Sequence, residues 1–375
     1  MRPKLARLAA LCGLLALPSA SPGQPPTGAN PFERYDANKD GKVTRDEVPE
    51  RLRDRFDAID ANKDGLLTPQ EHRSFLAGRA GSNAGVEVKQ DLPYAGTTNP
   101  RQTLDLLLPK IPKADKPLPV LVNIHGGGWM AGDKSGGVGS ILPLVASGEY
   151  AGVTINYRLT DEASWPAQAF DCKAAIRWVR GHATEFHLDP DRIGVIGGSA
   201  GGHLVALLGS SGGVESLEGE LGPFAKLSSR VTCVVDMYGP ADLLAMGDPP
   251  GFASHNRPGS PESKLVGGPI QERKDVAKAA SPITYVAKGD PAFLIIHGDK
   301  DPTVSIDQSV RLDKALREAG VDVTFIKVEG GGHGGFRNPE IPRRIRLFFD
   351  KHLRGIDSGP ISAGPVPNAA TPSPK

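Results

Sequence analysis

Cysteine is scarce in this sequence of 375 residues, which contains only three. Their spacing matches no zinc or iron–sulfur pattern, so we expect no metal centre built from cysteine. Cys12 lies in an N-terminal apolar stretch, whereas Cys172 and Cys233 fall in a predicted helix and a predicted strand. Free cysteines in such apolar segments are typical core residues. We therefore predict two buried free thiols rather than a disulfide.

An excess of one charge and a long apolar run are missing as well. The 44 Lys and Arg residues balance the 43 Asp and Glu residues, for a formal net charge of +1. This balance indicates no basic surface of the kind that binds nucleic acid. The apolar run at residues 8–17 is too short to span a bilayer. We expect neither a nucleic-acid partner nor a membrane span, and the 39% apolar content allows a sizeable core.

Both ends of the chain differ in composition from the remainder. Arg2, Lys4 and Arg7 precede the apolar run and small residues follow it, which is the pattern of a secretory signal. We predict a signal peptide over residues 1–23 and hence a secreted or periplasmic protein, with the cleavage position left open by Pro18. Residues 24–31, rich in Pro and Gly, are predicted to be a linker. Residues 355–375, rich in Pro, Ala and Ser, are predicted to be a disordered tail.

Two twelve-residue segments, 36–47 and 60–71, match the calcium-loop pattern D-x-[DN]-x-[DN]-G-x₅-E in full. Side-chain oxygens at positions 1, 3 and 5, the carbonyl oxygen of position 7 and a bidentate glutamate at position 12 surround the ion in such loops. The expected ligands are Asp36, Asn38, Asp40, Lys42 and Glu47 in the first loop and Asp60, Asn62, Asp64, Leu66 and Glu71 in the second. The alternative is a pair of Asx-rich turns without an ion.

The flanks of both loops favour the calcium-binding interpretation. Thr44 with Glu47, and Thr68 with Glu71, form the capping-box pattern that begins a helix. Val43 and Leu67, at position 8 of each loop, are expected to meet in a small strand contact. We predict a small helical EF-hand pair over residues 32–78, in which two structural calcium ions contribute to folding. Tethering to a partner that the sequence does not identify is a further role such a pair could have.

From residue 86 the pattern changes to apolar strands that alternate with helices. Such alternation predicts an α/β fold with a mostly parallel, buried sheet over residues 86–354. Strands are expected at residues 86–88, 103–108, 120–124, 152–157, 192–196, 231–238, 292–297 and 323–328, and helices at 167–186, 307–319 and 342–353. Residues 240–290 interrupt the alternation, and they either cap a substrate site or form a surface loop.

A glycine-rich turn at residues 197–201, Gly-Gly-Ser-Ala-Gly, joins one predicted strand to a predicted helix. This is the context of a G-x-S-x-G nucleophile elbow, which exposes the serine hydroxyl at the top of a sheet. The same residues also occur in ordinary turns, so the elbow needs partners elsewhere in the chain. We take Ser199 as the candidate nucleophile.

The partners that Ser199 requires follow in the chain order typical of this arrangement, acid and then histidine. His333 lies in a glycine-rich loop directly after a predicted strand and is the candidate base. Asp301 is the preferred acid because it lies further into its loop than Asp299, the fallback. Gly127 and Gly128, in the motif His-Gly-Gly-Gly-Trp, and the amide of Ala200 are the candidate oxyanion donors.

The other two residues of the His-Gly-Gly-Gly-Trp motif receive different expectations. His125 precedes the nucleophile in the chain and is expected to order the loop rather than act as the base. Trp129 either lines an acyl pocket or packs in the core.

Residues 86–354 resemble a bacterial carboxylesterase of the α/β-hydrolase fold, of the branch near hormone-sensitive-lipase-like and BD-FAE-type (feruloyl/acetyl carbohydrate) esterases. The resemblance rests on the segments at 125–129, 171–178, 189–193, 197–201, 238–243, 281–284 and 297–304. It implies that Asp301 takes the place of the acid and that no organic cofactor is needed. The hormone-sensitive-lipase pattern has an acid where this chain has Gly198, which favours the carbohydrate-esterase branch.

The leading hypothesis is an exported serine esterase that acts on small esters or esterified carbohydrates. A peptidase of the prolyl-oligopeptidase type is one alternative, although the 85 residues before the core cannot supply a propeller. A non-catalytic, calcium-dependent binding module is the other.

Overall fold

The computed structural model describes residues 84–369 continuously and, before them, residues 36, 42–48, 53, 56, 59–60, 63–68, 71–72 and 74–75. The predicted signal peptide, the predicted linker and the loop residues Asn38, Asp40 and Asn62 lie outside this part of the chain. The chain divides into two compact units, residues 1–72 and 73–375. Within the described segments no helix is both long and apolar enough to cross a bilayer.

The smaller unit contains two short antiparallel strands, β1 (Val43–Thr44) and β2 (Leu66–Leu67). Val43 lies opposite Leu67, which confirms the predicted contact between the eighth positions of the two loops. Both side chains are buried in a small apolar core with Val48 and Phe56, and Ile59 packs against it. Among the described residues of this unit the cluster has five members, and so few apolar side chains stabilise a fold weakly.

The larger unit is built on a nine-stranded sheet with the order β11-β10-β9-β8-β7-β5-β6-β4-β3. Its strands are β3 (Val86–Pro93), β4 (Thr103–Pro109), β5 (Leu118–Ile124), β6 (Ala151–Ile155), β7 (Leu188–Gly198), β8 (Cys233–Met237), β9 (Ala292–Gly298), β10 (Val323–Glu329) and β11 (Val366–Pro367). β4 pairs antiparallel with β3 and with β6, and the remaining neighbours are parallel. The mostly parallel sheet is therefore confirmed.

Helices cover both faces of this sheet. They are α1 (Val138–Ala146), α2 (Ala167–Gly181), α3 (Ala200–Ser210), α4 (Glu215–Glu218), α5 (Pro261–Leu265), α6 (Lys274–Ala279), α7 (Asp307–Glu318) and α8 (Glu340–Arg354). Successive strand residues point to opposite faces. Accordingly Val234 packs in the core that contains α2, α3 and α7, and Val235 packs in the core that contains α1 and α8.

Cys172 and Cys233 are buried and free, as predicted. They belong to the cores on opposite faces of the sheet. Burial raises the pKa of both thiols, which keeps them protonated and unreactive.

The disordered tail predicted for residues 355–375 is wrong for part of its length. Residues 355–369 are described, and β11 forms an edge strand parallel to β10, with Val328 opposite Val366. Val366 is only 2% exposed and packs in the core beside α8. Composition predicted disorder here because the apolar residues of this segment are few, yet one of them completes a core that the rest of the chain builds.

Candidate active site

Ser199 lies at the abrupt turn between β7, which ends at Gly198, and α3, which begins at Ala200. Its backbone has φ 58° and ψ −125°, a strained conformation for a residue with a side chain. The Ser199 amide donates to the carbonyl of Met237 at 3.0 Å and holds the turn. A Cβ at Gly201 would overlap the carbonyl oxygen of Ile124, so the chain can reverse here only with glycine. The geometry is that of a nucleophile elbow.

His333 and Asp301 come together although 32 residues separate them in the chain. His333 Nδ1 donates to Asp301 Oδ2 at 2.7 Å, which leaves Nε2 available to accept a proton. The other carboxylate oxygen of Asp301 accepts from the amides of Thr303 at 2.8 Å and Val304 at 3.0 Å. Asp299 turns elsewhere and accepts from the Gly330 amide at 2.7 Å. The preference for Asp301 over Asp299 thus agrees with the geometry.

Sequence reasoning gave His297 no role, yet it is fully buried beside Asp301. Its Nε2 lies 3.3 Å from Asp301 Oδ2 and donates to the Val304 carbonyl at 2.9 Å. Burial alone would raise the pKa of Asp301, but hydrogen bonds from His297, His333 and two backbone amides hold that pKa well below its ordinary value. The carboxylate is therefore charged at neutral pH. In the sequence, the only signal of His297 is that it directly precedes Gly298 at the end of a strand.

Tyr238 is a second residue that sequence reasoning missed. It follows β8 with a φ of 46°, and its ring lies 4.8 Å from that of His333 between centroids. A Cβ at Gly198 would lie 2.7 Å from the Tyr238 hydroxyl. The preceding carboxyl, Asp236, accepts from the Gly239 amide at 3.0 Å, and burial raises its pKa to about 6. Tyr238 therefore packs between the elbow and the histidine loop, and nothing in its sequence spacing indicates this.

The His-Gly-Gly-Gly-Trp segment forms a tight loop after β5. Gly127 and Gly128 have φ of 111° and 60°, and the Gly127 carbonyl accepts from the amides of Met130 and Ala131 at 3.1 Å each. The His125 ring stacks on Tyr157 at 4.4 Å, and the Tyr157 hydroxyl donates to the His125 carbonyl. These contacts agree with the expectation that His125 orders the loop.

Trp129 packs in the core rather than in an acyl pocket. It is 1% exposed and its Nε1 donates to His203 Nδ1 at 3.2 Å. His203 in turn reaches the carbonyl of Ala280 through Nε2 at 2.6 Å. Burial lowers the pKa of His203 to about 4, so this imidazole is neutral. Its Nδ1 accepts from Trp129 and its Nε2 donates to the Ala280 carbonyl.

A cavity of about 740 Å³ joins most of the predicted site residues. Ser199, His333, Gly127 and Gly128 all line it, while Asp301 lies behind His333 and Ala200 is buried directly after Ser199. Further polar residues line the same cavity, namely Asn123, His125, Asp133, Ser140 and Thr303. The site is thus a large cleft with a polar wall beside the serine.

The insertion at residues 240–290 touches loops on both sides of this cavity. Pro261 lies 3.4 Å from where a Cβ of Gly128 would stand. His255 bonds the Thr303 carbonyl through Nε2 at 3.0 Å and Glu262 through Nδ1 at 2.9 Å. These contacts favour the cap over the plain surface loop.

The second calcium-type loop has the internal bonds that its motif requires. Asp60 accepts from the amides of Asp64 at 3.2 Å and Gly65 at 2.9 Å, which curls the loop. Glu71 Oε2 accepts from the amide and hydroxyl of Thr68, and Glu47 does the same with Thr44 in the first loop. No three Asp, Glu, His or Cys side chains of the described residues converge into a metal cluster. The oxygen-only donor set nevertheless fits calcium rather than a softer metal.

The BD-FAE family model matches residues 104–316, and an EF-hand family model matches residues 31–48 and 52–76. Esterase LipC of Mycobacterium tuberculosis is 31% identical over 68% of this chain and 63% of its own, so the chain spans less than two thirds of that curated relative.

Two solved structures are also similar to this chain. A truncated form of a carbohydrate esterase from gut microbiota is 36% identical, with a TM-score of 0.67, over 71% of this chain and 96% of that one. Thermogutta terrifontis esterase 2, phosphonylated by cyclosarin, is 25% identical with a TM-score of 0.55, over 74% and 97%. With these likenesses and a family match over more than half its length, the chain belongs to the BD-FAE family and has the α/β-hydrolase fold.

Proposed function

We propose that this protein is a serine esterase that hydrolyses carboxylic esters with Ser199, His333 and Asp301. The observation that carries the proposal is the hydrogen bond from His333 Nδ1 to the charged Asp301, with His333 and Ser199 facing one cavity. Nucleophile, base and orienting acid are the three parts that acyl transfer to serine needs. The names of the relatives, which are esterases, support the same reaction.

In the proposed mechanism His333 Nε2 accepts the proton of the Ser199 hydroxyl as its oxygen attacks the ester carbonyl. Asp301 keeps the imidazole oriented and stabilises its cationic form. The amides of Gly128 and Ala200, with that of Gly127, donate to the oxyanion that forms. His333 then protonates the leaving alcohol, and water releases the acyl group from Ser199 by the same steps in reverse. Each oxyanion donor contributes about 2.7–4 kcal/mol to lowering the barrier.

For the substrate we propose a carbohydrate ester. The truncated carbohydrate esterase is among the similar structures, and the polar wall of Asn123, Asp133 and Ser140 offers hydrogen-bonding groups to a hydroxyl-rich alcohol. Gly198 stands beside the nucleophile without a charge, and the Tyr238 ring occupies the space that an acidic side chain at this position would need. Acetylated xylan, feruloyl esters and simple short-chain esters, assayed side by side, test this substrate class.

We further propose that the EF-hand pair binds two calcium ions that stabilise the smaller unit, and that residues 1–23 direct export. The loop bonds of Asp60 and the paired β1 and β2 support calcium binding. The export proposal rests on the sequence pattern alone, and N-terminal sequencing of the mature protein tests it.

The esterase proposal is tested by labelling with a fluorophosphonate, which reacts with activated serines. We expect stoichiometric labelling of Ser199 and hydrolysis of p-nitrophenyl acetate, with both lost in Ser199→Ala. Ser210→Ala, at the far end of α3, is the matched control and should keep both activities. A protein that neither labels nor hydrolyses any of these esters would favour the binding-module alternative. Faster cleavage of a proline amide than of an aryl acetate would favour the peptidase.

A further inference from the structure

The chain continues beyond α8, outside the part that the family model matches, and returns to the sheet next to the histidine loop. We call residues 361–368 the C-terminal strap. Ile361 packs against the core beside α8, and Val366 is buried in it. β11, within the strap, pairs with the end of β10, where the loop that carries His333 begins.

The strap bonds both ends of the histidine loop, residues 330–336. The Asn368 amide donates to the Glu329 carbonyl at 2.9 Å, and the Asn368 carbonyl accepts from the Arg337 amide at 3.1 Å. One strap residue thus bridges the position where the chain leaves β10 and the position where it approaches α8. The Asn338 side-chain amide adds a bond to the Pro367 carbonyl at 2.9 Å.

The strap is itself fixed to α8 at its other end. Arg344 Nη1 donates to the carbonyls of Ser362 at 2.8 Å and Gly364 at 3.0 Å. The Arg344 side chain is only 11% exposed, so these two bonds are largely shielded from water. The strap is therefore held from α8 to β10 and closes the base of the histidine loop.

We propose that the C-terminal strap is a positioning element for His333. The loop contains five glycines, which have the largest backbone freedom of any residue. Fixing both ends of such a loop removes conformations in which the imidazole is displaced from Ser199. A displacement of about 1 Å at a reacting group costs roughly a hundredfold in rate. This inference rests on the proposed role of His333.

The test compares two deletions in the full-length protein. Removal of residues 360–375 should lower kcat for p-nitrophenyl acetate by roughly tenfold to a hundredfold, with KM within about twofold, because substrate binding is not altered. Removal of residues 370–375 is the matched control and should leave kcat unchanged. The downfield proton resonance of the His333–Asp301 hydrogen bond should broaden only in the longer deletion.

Asn338→Asp keeps the test decisive where the longer deletion fails to fold. In the unmodified protein the Glu340 amide donates to Asn338 Oδ1 at 3.0 Å, and an aspartate oxygen can still accept this bond. The aspartate has no NH₂ group, so the bond to the Pro367 carbonyl is lost. We expect a lower kcat at a temperature where circular dichroism shows an intact fold, whereas Arg343→Gln, on the exposed side of α8, should have no effect.

A strap with a structural role alone would change the melting temperature and leave kcat and the proton resonance unaltered, and this result overturns the proposal. Failure of the esterase proposal is distinguishable, because the unmodified protein would then show no hydrolysis.

Discussion

Asp301 is the residue on which the electrostatics of the site depend. Its two oxygens face His297, His333 and the amides of Thr303 and Val304, so nearly every lone pair has a donor. A buried carboxylate with this many donors has a fixed orientation, and it can hold the His333 ring without moving during the reaction. His297 shares Oδ2 with His333 and so adds a second imidazole that opposes rotation of the carboxylate.

Asp301→Asn should lower kcat by about two to four orders of magnitude and leave KM nearly unchanged. The amide can present NH₂ toward His333 Nδ1, which favours the tautomer in which Nε2 carries the proton and cannot act as a base. Steady-state kinetics with p-nitrophenyl acetate measure the effect.

The matched control is Asp299→Asn, in the same loop, whose oxygen can still accept from the Gly330 amide. Its kcat should stay within a few-fold of the unmodified enzyme. Equal losses in the two variants would contradict the assignment of Asp301.

At the scale of single residues, the sequence predicts the groups that carry a local motif. The strained turn at Ser199 and the glycine-rich loops can be recognised in the sequence, because their backbone conformations require glycine or other small residues nearby. His297 and Tyr238 could not be found in this way. The contact of His297 with Asp301 depends on how the short loop between them folds, and Tyr238 meets His333 from a distant part of the chain. A histidine at a strand end is compatible with many environments until the neighbouring loop is known.

The cap segment at residues 253–265 is an element whose attachment depends on protonation. His255 faces the Glu262 carboxylate through one nitrogen and the Thr303 carbonyl through the other. Neither partner can donate, so both bonds form only when the imidazole is doubly protonated. The hydrogen bond to Glu262 is the main cause of a raised pKa for His255, opposed by its burial.

This raised pKa predicts how the cap responds to pH. A group with a raised folded-state pKa stabilises the fold fully below its unfolded value, about 6.5 for histidine, and loses this contribution as pH rises through the folded value. The melting temperature of His255→Gln should therefore lie furthest below that of the unmodified protein near pH 6, and the gap should narrow by pH 9.

His352→Gln provides the opposite control, because burial lowers the pKa of His352. The gap caused by this substitution should not narrow as pH rises. A pH-independent gap for His255→Gln would contradict the paired imidazolium.

At the scale of elements, most strands and helices of the larger unit follow from apolar runs and their spacing. The order of the strands, the helix α1, the short helices α4, α5 and α6, and the edge strand β11 do not. β11 has two residues, one of them proline, and its extended conformation comes from pairing with β10 rather than from its own sequence. Tertiary pairing of this kind leaves no periodic pattern to recognise.

At the scale of the whole molecule, the described residues of the two units form cores of very different size. The larger has extensive apolar layers on both faces of its sheet, whereas the smaller has four buried apolar side chains among its described residues. Small domains with so little buried surface commonly depend on a metal for stability. The proposed calcium ions would therefore matter to folding of the EF-hand pair and not to ester hydrolysis, since no triad residue belongs to either loop.

Glu71→Gln separates these two roles. Glutamine can still accept from the Thr68 amide and so keep the helix cap, but it loses the carboxylate that calcium requires at position 12. Calorimetric titration should show one calcium site lost. In calcium, the thermal transition of the smaller unit should lie at a lower temperature in the variant than in the unmodified protein, and in EDTA the two transitions should coincide. The kcat for p-nitrophenyl acetate should be the same in calcium, in EDTA and in the variant. Immediate loss of activity on adding EDTA, while the larger unit stays folded, would instead assign calcium a part in the reaction.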